Sequence, residues 1–153
     1  MTPPAAGGRP WEVLFTGARD CVDKALLWRV LDEIHAEHPD MLVKHGACYP
    51  AEDEHGRRSE ESADWLAHLW CLARGVPDRE FPANWGRYGD AAGPIRNNAM
   101  IASGADECVA FPHPWSRGTF GCARRAERAG IPTRRFTPTP PLRRRTWSAY
   151  ARR

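Results

Sequence analysis

Apolar residues fall in short runs separated by longer periodic stretches. Trp11-Glu12-Val13-Leu14-Phe15-Thr16 is mostly apolar without alternation, which predicts a strand covered on both faces. After Gly17-Ala18-Arg19-Asp20, Val22, Leu26, Val30 and Ile34 recur every fourth residue with Leu27 and Leu31 beside them, the stripe of an amphipathic helix. Asp20 is the expected N-cap, and His38-Pro39 the expected stop. Met41 to His45 reads as a second strand, and 48–58 as a polar loop. Ser59 is the expected cap of a helix with Glu60 and Glu61 in its first turn. Its inner stripe is Ala63, Leu66, Ala67, Trp70 and Ala73, and Gly75 with Pro77 ends it. Residues 78–82 suit an edge strand, and 83–93 a Gly-rich loop. Gly93-Pro94 then opens a helix with proline at its first position, where a missing N–H is harmless. Glu107 to Phe111 is the next strand, Thr119 to Ala129 the next helix, and Ile131 to Phe136 a last strand. Pro132 places that strand at an edge, because proline cannot donate to a ladder.

Regular alternation of strand and helix implies crossover connections. The expected fold is α/β: a Rossmann-like three-layer sandwich, with a mostly parallel sheet of about five strands and helices on both faces. The organisation reads as a flexible leader, 1–10, one domain, 11–136, and a Pro/Arg-rich tail, 137–153. The 153 residues suffice for one domain with a real core.

Charge changes the picture only at the end of the chain. The net +3 arises because residues 137–153 hold five Arg and no acid, leaving 17 basic against 19 acidic side chains elsewhere. The body therefore lacks a nucleic-acid footprint, and only the tail, with Arg143-Arg144-Arg145 and interleaved Trp147 and Tyr150, suits weak nucleic-acid contact. Five Cys, an odd number with no C-x-x-C pair, argue for reduced thiols and a cytoplasmic protein. No apolar run approaches the ~20 residues of a membrane span.

In a parallel sheet of this kind a ligand sits beyond the carboxyl ends of the strands. Three loops leave those ends: Thr16-Gly17-Ala18-Arg19, His45-Gly46-Ala47 and Ser116-Arg117-Gly118-Thr119. Small residues let backbone approach a phosphate, and each following helix start supplies amides and partial positive charge. Arg96 and Asn97, just after Gly93, fit a phosphate clamp at the same edge. Arg19 reads either as a phosphate contact or as a solvated loop charge, and Asp64 either as a ribose ligand or as a helix-dipole partner. Trp85 and Tyr88 suit base stacking or plain loop packing.

These residues carry a resemblance. Phe15-Thr16-Gly17-Ala18-Arg19-Asp20, His45-Gly46-Ala47, Gly93-Pro94-Ile95-Arg96-Asn97 with Met100, and Ala105-Asp106 before the strand 108–111 resemble the YspA/YpsA-related branch of the SLOG superfamily. The similarity runs from about Trp11 to Phe136. It implies a Rossmann-like domain that senses or processes a nucleotide-derived small molecule; no separate cofactor is expected. The superfamily includes the Lonely Guy phosphoribohydrolases and the DNA-processing protein DprA. Lonely Guy enzymes carry an Arg followed four residues later by Met, then a strand, then Pro-Gly-Gly-x-Gly-Thr-x-x-Glu. Arg96, Met100, Pro112, Gly118 and Thr119 match, but Cys122 stands where the catalytic Glu belongs. A thiol cannot stabilise an oxocarbenium-like centre as a carboxylate does. The resemblance therefore implies the phosphate site without that hydrolase activity, and whether the chain is an enzyme stays open.

Cys48, His45 and His55 match no compact zinc-ligand spacing, so no metal is expected. Cys122, early in a helix and near Arg124 and Arg125, reads as a nucleophile or as a buried inert thiol. Trp65, Leu66, Leu69, Trp70 and Leu72 cover more than one face of their helix. That surplus predicts either a homodimer or a Trp65 hidden under the loop 48–58.

Overall fold

The computed structural model describes residues 8–142. Five strands, β1 (Glu12–Gly17), β2 (Leu42–His45), β3 (Asp78–Glu80), β4 (Glu107–Phe111) and β5 (Thr133–Arg135), form one sheet in the order β3-β2-β1-β4-β5. Every pairing is parallel. The helices are α1 (Lys24–Glu37), α2 (Ala63–Arg74), α3 (Trp85–Tyr88), α4 (Ala92–Ala102) and α5 (Arg117–Arg128).

The pleat sorts side chains between two cores. Val13, Phe15, Val43, Val109 and Phe111 pack with Leu27, Leu31 and Ile34 of α1 and Leu66 and Trp70 of α2. Leu14 and Cys108 face the other way, against Met100 of α4 and Cys122 and Ala126 of α5. Both faces are thus covered, as the unalternating runs require. Lys44 is a charged side chain buried within a strand. Fully buried, it spans to the end of α4, where its Nζ donates to the carbonyls of Ser103 (3.3 Å) and Gly104 (2.8 Å). A cation there complements the negative end of the helix.

Three boundaries differ from the sequence expectation. α1 is capped by Asp23, whose carboxylate accepts from the Leu26 N–H, while Asp20 is buried elsewhere. α2 starts at Ala63 behind Ser62, so Asp64, and neither Glu60 nor Glu61, occupies its first turn. Residues 83–93 are not a loop: α3 and a 3-10 turn at Gly89–Ala91 lead into α4, in which Pro94 is the third residue. Proline is still tolerated there, because first-turn amides have no partner within the helix.

Trp65 is partly covered within its own chain. Its ring lies 5.0 Å from Tyr49 and 5.4 Å from His68, with the Arg58 guanidinium 5.6 Å above it, so the segment after β2 covers it. Leu72, on the same helix, stays exposed. Near the ends of the described chain, Arg9 is paired with Asp106 (2.7 Å), and the Thr139 N–H reaches Asp23 (2.8 Å). The tail's Arg143-Arg144-Arg145 lies outside the described residues. Among the described residues, no helix is long and apolar enough to cross a membrane.

Candidate functional site

Adjacent strands β1 and β4 send the chain to opposite faces, β1 to α1 and β4 to α5. Strand ends that diverge in this way leave a crevice, the usual ligand position in open α/β sheets. A cleft of about 650 Å³ opens there. Of the residues expected at the site, Thr16, Gly17, Ala18, Arg19, Gly46, Asp64, Gly93, Arg96, Asn97, Gly118 and Thr119 line it.

One wall is the start of α5. Ser116 holds the cap position but does not cap the helix; its Oγ accepts from the His113 N–H instead, at 3.0 Å. The Arg117 N–H is used by Trp115 O (3.0 Å) and that of Phe120 by Ser116 O (3.1 Å). The amides of Gly118 and Thr119 have no partner among the described residues. The Thr119 side chain is buried against the same space, and Arg117 and Arg125 line it too. Uncapped amides, a hydroxyl and two guanidiniums converging on a partly enclosed volume make a strongly anion-attracting corner.

The opposite wall joins β2, α2 and α4. Arg96 reaches from α4, giving Nη1 to the Gly46 carbonyl (2.5 Å) and Nε to Asn97 Oδ1 (2.7 Å). A Cβ on Gly46 would lie 2.2 Å from Arg96 Nη1 and 3.1 Å from Asp64 Oδ2, so only glycine admits this packing. Asp64 Oδ2 accepts from the Cys48 N–H (3.0 Å), which fixes the carboxylate at the cleft wall. Between the walls, Gly17 lets β1 abut α2, because a Cβ there would sit 2.3 Å from Ala63 Cβ. The Ala18 carbonyl accepts from the Ala63 N–H (2.9 Å), and the Ala18 N–H donates to Phe111 O (3.0 Å). This one short loop therefore ties together β1, β4 and α2.

Two indoles flank the cleft: Trp85, one of the candidates for base stacking, and Trp115, which a loop-by-loop reading did not place there. Trp85, on α3, carries the Arg19 guanidinium 5.1 Å from its ring centre and packs on Gly93. Trp115 donates its Nε1–H to Asp20 Oδ2 (3.0 Å) and stacks on His113 (4.8 Å). Asp20 was read as a helix cap. Its burial beside Trp115, 95 residues away, is a tertiary fact without local signal.

His45 and Ala47 do not line the cleft. His45 points below it: Nδ1 accepts from the Ala47 N–H (3.1 Å), and Nε2 bonds Asp78 Oδ2 (2.8 Å), which His68 Nδ1 also meets at 2.7 Å. Two imidazoles and a carboxylate suggest a metal centre. The hydrogen bonds argue otherwise. The Ala47 N–H makes Nδ1 an acceptor, so Nε2 carries the proton and has no lone pair for a metal. The cluster is a brace between β2, α2 and β3. Burial pushes the Asp78 carboxyl up, but the bonds from the two histidines outweigh it and hold it at about 2.

Cys122, where a catalytic carboxylate was sought, is fully buried under the cleft, and burial pushes its thiol up. It is the inert thiol of the two readings. All five cysteines are unpaired.

Residues 11–88 match the YspA, cpYpsA-related SLOG family. The chain is also similar to the Gene 61 protein of Mycobacterium phage D29, at 36% identity over 129 residues, covering 84% of this chain and 98% of that protein. No solved structure matches it.

Proposed function

The chain belongs to the YspA, cpYpsA-related SLOG family, and from that premise we propose that its cleft binds a phosphate-bearing nucleotide or nucleotide derivative as a sensor or binding protein. Membership points to a nucleotide-related binding or processing role. The observation that carries the finer reading is the start of α5, where two unengaged amides, the Thr119 hydroxyl and Arg117 converge on one cleft. A phosphate there is met by the positive end of the helix and by charge-assisted hydrogen bonds. The start of α2 also faces the cleft, but Asp64 in its first turn gives it the opposite polarity. It suits ribose hydroxyls. The ligand therefore lies with its phosphate at α5 and its sugar towards Asp64, and the indoles of Trp85 and Trp115 offer surfaces for a base.

Hydrolysis is the second reading. It requires a carboxylate other than position 122, and Asp20 and Asp64 line the cleft. Against it stands the loss of the Lonely Guy arrangement at Cys122, so little or no base is expected to be released from AMP. Robust release, abolished by Arg96→Ala, contradicts this.

The reading is tested by mass spectrometry of small molecules released from the purified, denatured protein, with calorimetry of AMP and ADP binding beside it. A bound nucleotide or measurable affinity supports it. Neither a released nucleotide nor binding at millimolar concentration removes it.

A further inference from the structure

His113 is left unexplained by that reading. Its side chain is 0% exposed, neither ring nitrogen makes a hydrogen bond of good geometry among the described residues, and the Asp20 main chain is the one polar backbone group close enough to bear on it. Buried polar groups are almost always paired, and leaving two unpaired is costly. The nearest carboxylate oxygen, Asp20 Oδ1, lies 3.9 Å from Nε2, too far for a hydrogen bond. Asp20 is itself buried, lines the cleft, and holds Trp115 through its other oxygen. The backbone of the same residue is tied to the anion-attracting corner, since Ser116 Oγ accepts from the His113 main-chain N–H one residue before α5 begins. An acid and a base thus face each other across a short gap, one on the segment after β1 and the other on the segment after β4.

We propose that His113 is a positioning residue that takes up a proton when the cleft is filled: an anionic phosphate at the Gly118 and Thr119 amides draws a proton from solvent onto Nε2, and the imidazolium closes onto the Asp20 carboxylate. The two segments are then locked around the ligand. This rests on the phosphate reading above. The charged groups that bear on the ring are Asp20 and Asp23, and both, together with the Asp20 main chain, favour its protonated form. Burial outweighs them and holds the imidazole below its usual range. A bound anion raises it. Between the empty and filled values binding takes up a proton, and affinity falls with rising pH by up to tenfold per unit. Above the filled value the coupling disappears.

The test is calorimetry of AMP binding to the full chain near pH 7 in buffers of different ionisation enthalpy, with His113→Gln and Asp20→Asn alongside. AMP's own phosphate contributes equally to each chain, so the difference reports His113. Wild type is expected to take up close to one more proton than His113→Gln, with the uptake also reduced in Asp20→Asn. Should His113→Gln not fold, the ring's own NMR titration in the wild type gives the answer, since it is expected to move to higher pH when AMP is added. Binding with equal uptake in all chains, or an unmoved titration, overturns the role of His113 but leaves the nucleotide reading standing. No binding of AMP at millimolar concentration overturns both.

Discussion

Two glycines in the cleft wall have opposite consequences when a methyl group is added. At Gly17 the new Cβ meets Ala63 Cβ at 2.3 Å, and neither strand nor helix can yield cheaply. Gly17→Ala is expected to destabilise the fold by about 1–3 kcal/mol, read from denaturant unfolding. At Gly46 the obstacle is the tip of a flexible side chain, Arg96 Nη1 at 2.2 Å. Gly46→Ala should therefore displace Arg96, with a smaller loss of stability and a clear loss of AMP affinity. An unchanged affinity would show that the position of Arg96 is immaterial to binding. Arg96→Ala removes a charge-assisted contact, and calorimetry is expected to show about 1.5–3 kcal/mol weaker binding in a folded protein.

Among the elements, α5 carries the proposed phosphate site and the most local test. Thr119→Val keeps shape and burial but removes the hydroxyl. It should weaken AMP binding by about 0.5–1.5 kcal/mol while the melting temperature hardly moves. The elements themselves were legible wherever burial on both sides imposed a pattern, as in β1, β4 and the core stripe of α1. Boundaries set by tertiary contacts were not. Asp20 satisfies the local rule for a cap, yet it is buried beside Trp115, and Asp23 caps instead. Ser59 satisfies the same rule, but α2 begins four residues later, where the Ala63 N–H meets the Ala18 carbonyl. The site divides in the same way. Its glycines and Arg96 follow from strand-end logic, while Trp115 and His113 come together with Asp20 only through folding. His45 lies outside the cleft for a related reason. It ends a strand at the expected edge, but the Ala47 N–H and Asp78 turn its ring under the cleft.

For the molecule as a whole, the brace of His45, His68 and Asp78 predicts acid sensitivity. Asp78 titrates near 2 in the fold against about 3.9 in an unfolded chain, so its contribution is complete above pH 4 and is lost between pH 4 and 2. Asp32, held low by Arg74, and Asp106, held low by Arg9, act in the same direction. Asp78→Asn should lower stability at neutral pH and flatten the acid limb, as followed by circular dichroism; an unchanged limb would assign the acid sensitivity to other groups. Acid-state behaviour reports on the scaffold, however, whereas the central claim concerns the crevice between β1 and β4. The most direct test is an amide-resolved NMR titration of the full chain with AMP. The account predicts saturable shifts centred on Gly118 and Thr119, extending to Gly17 and Gly46. Shifts confined to other surfaces, or none at millimolar AMP, would contradict it.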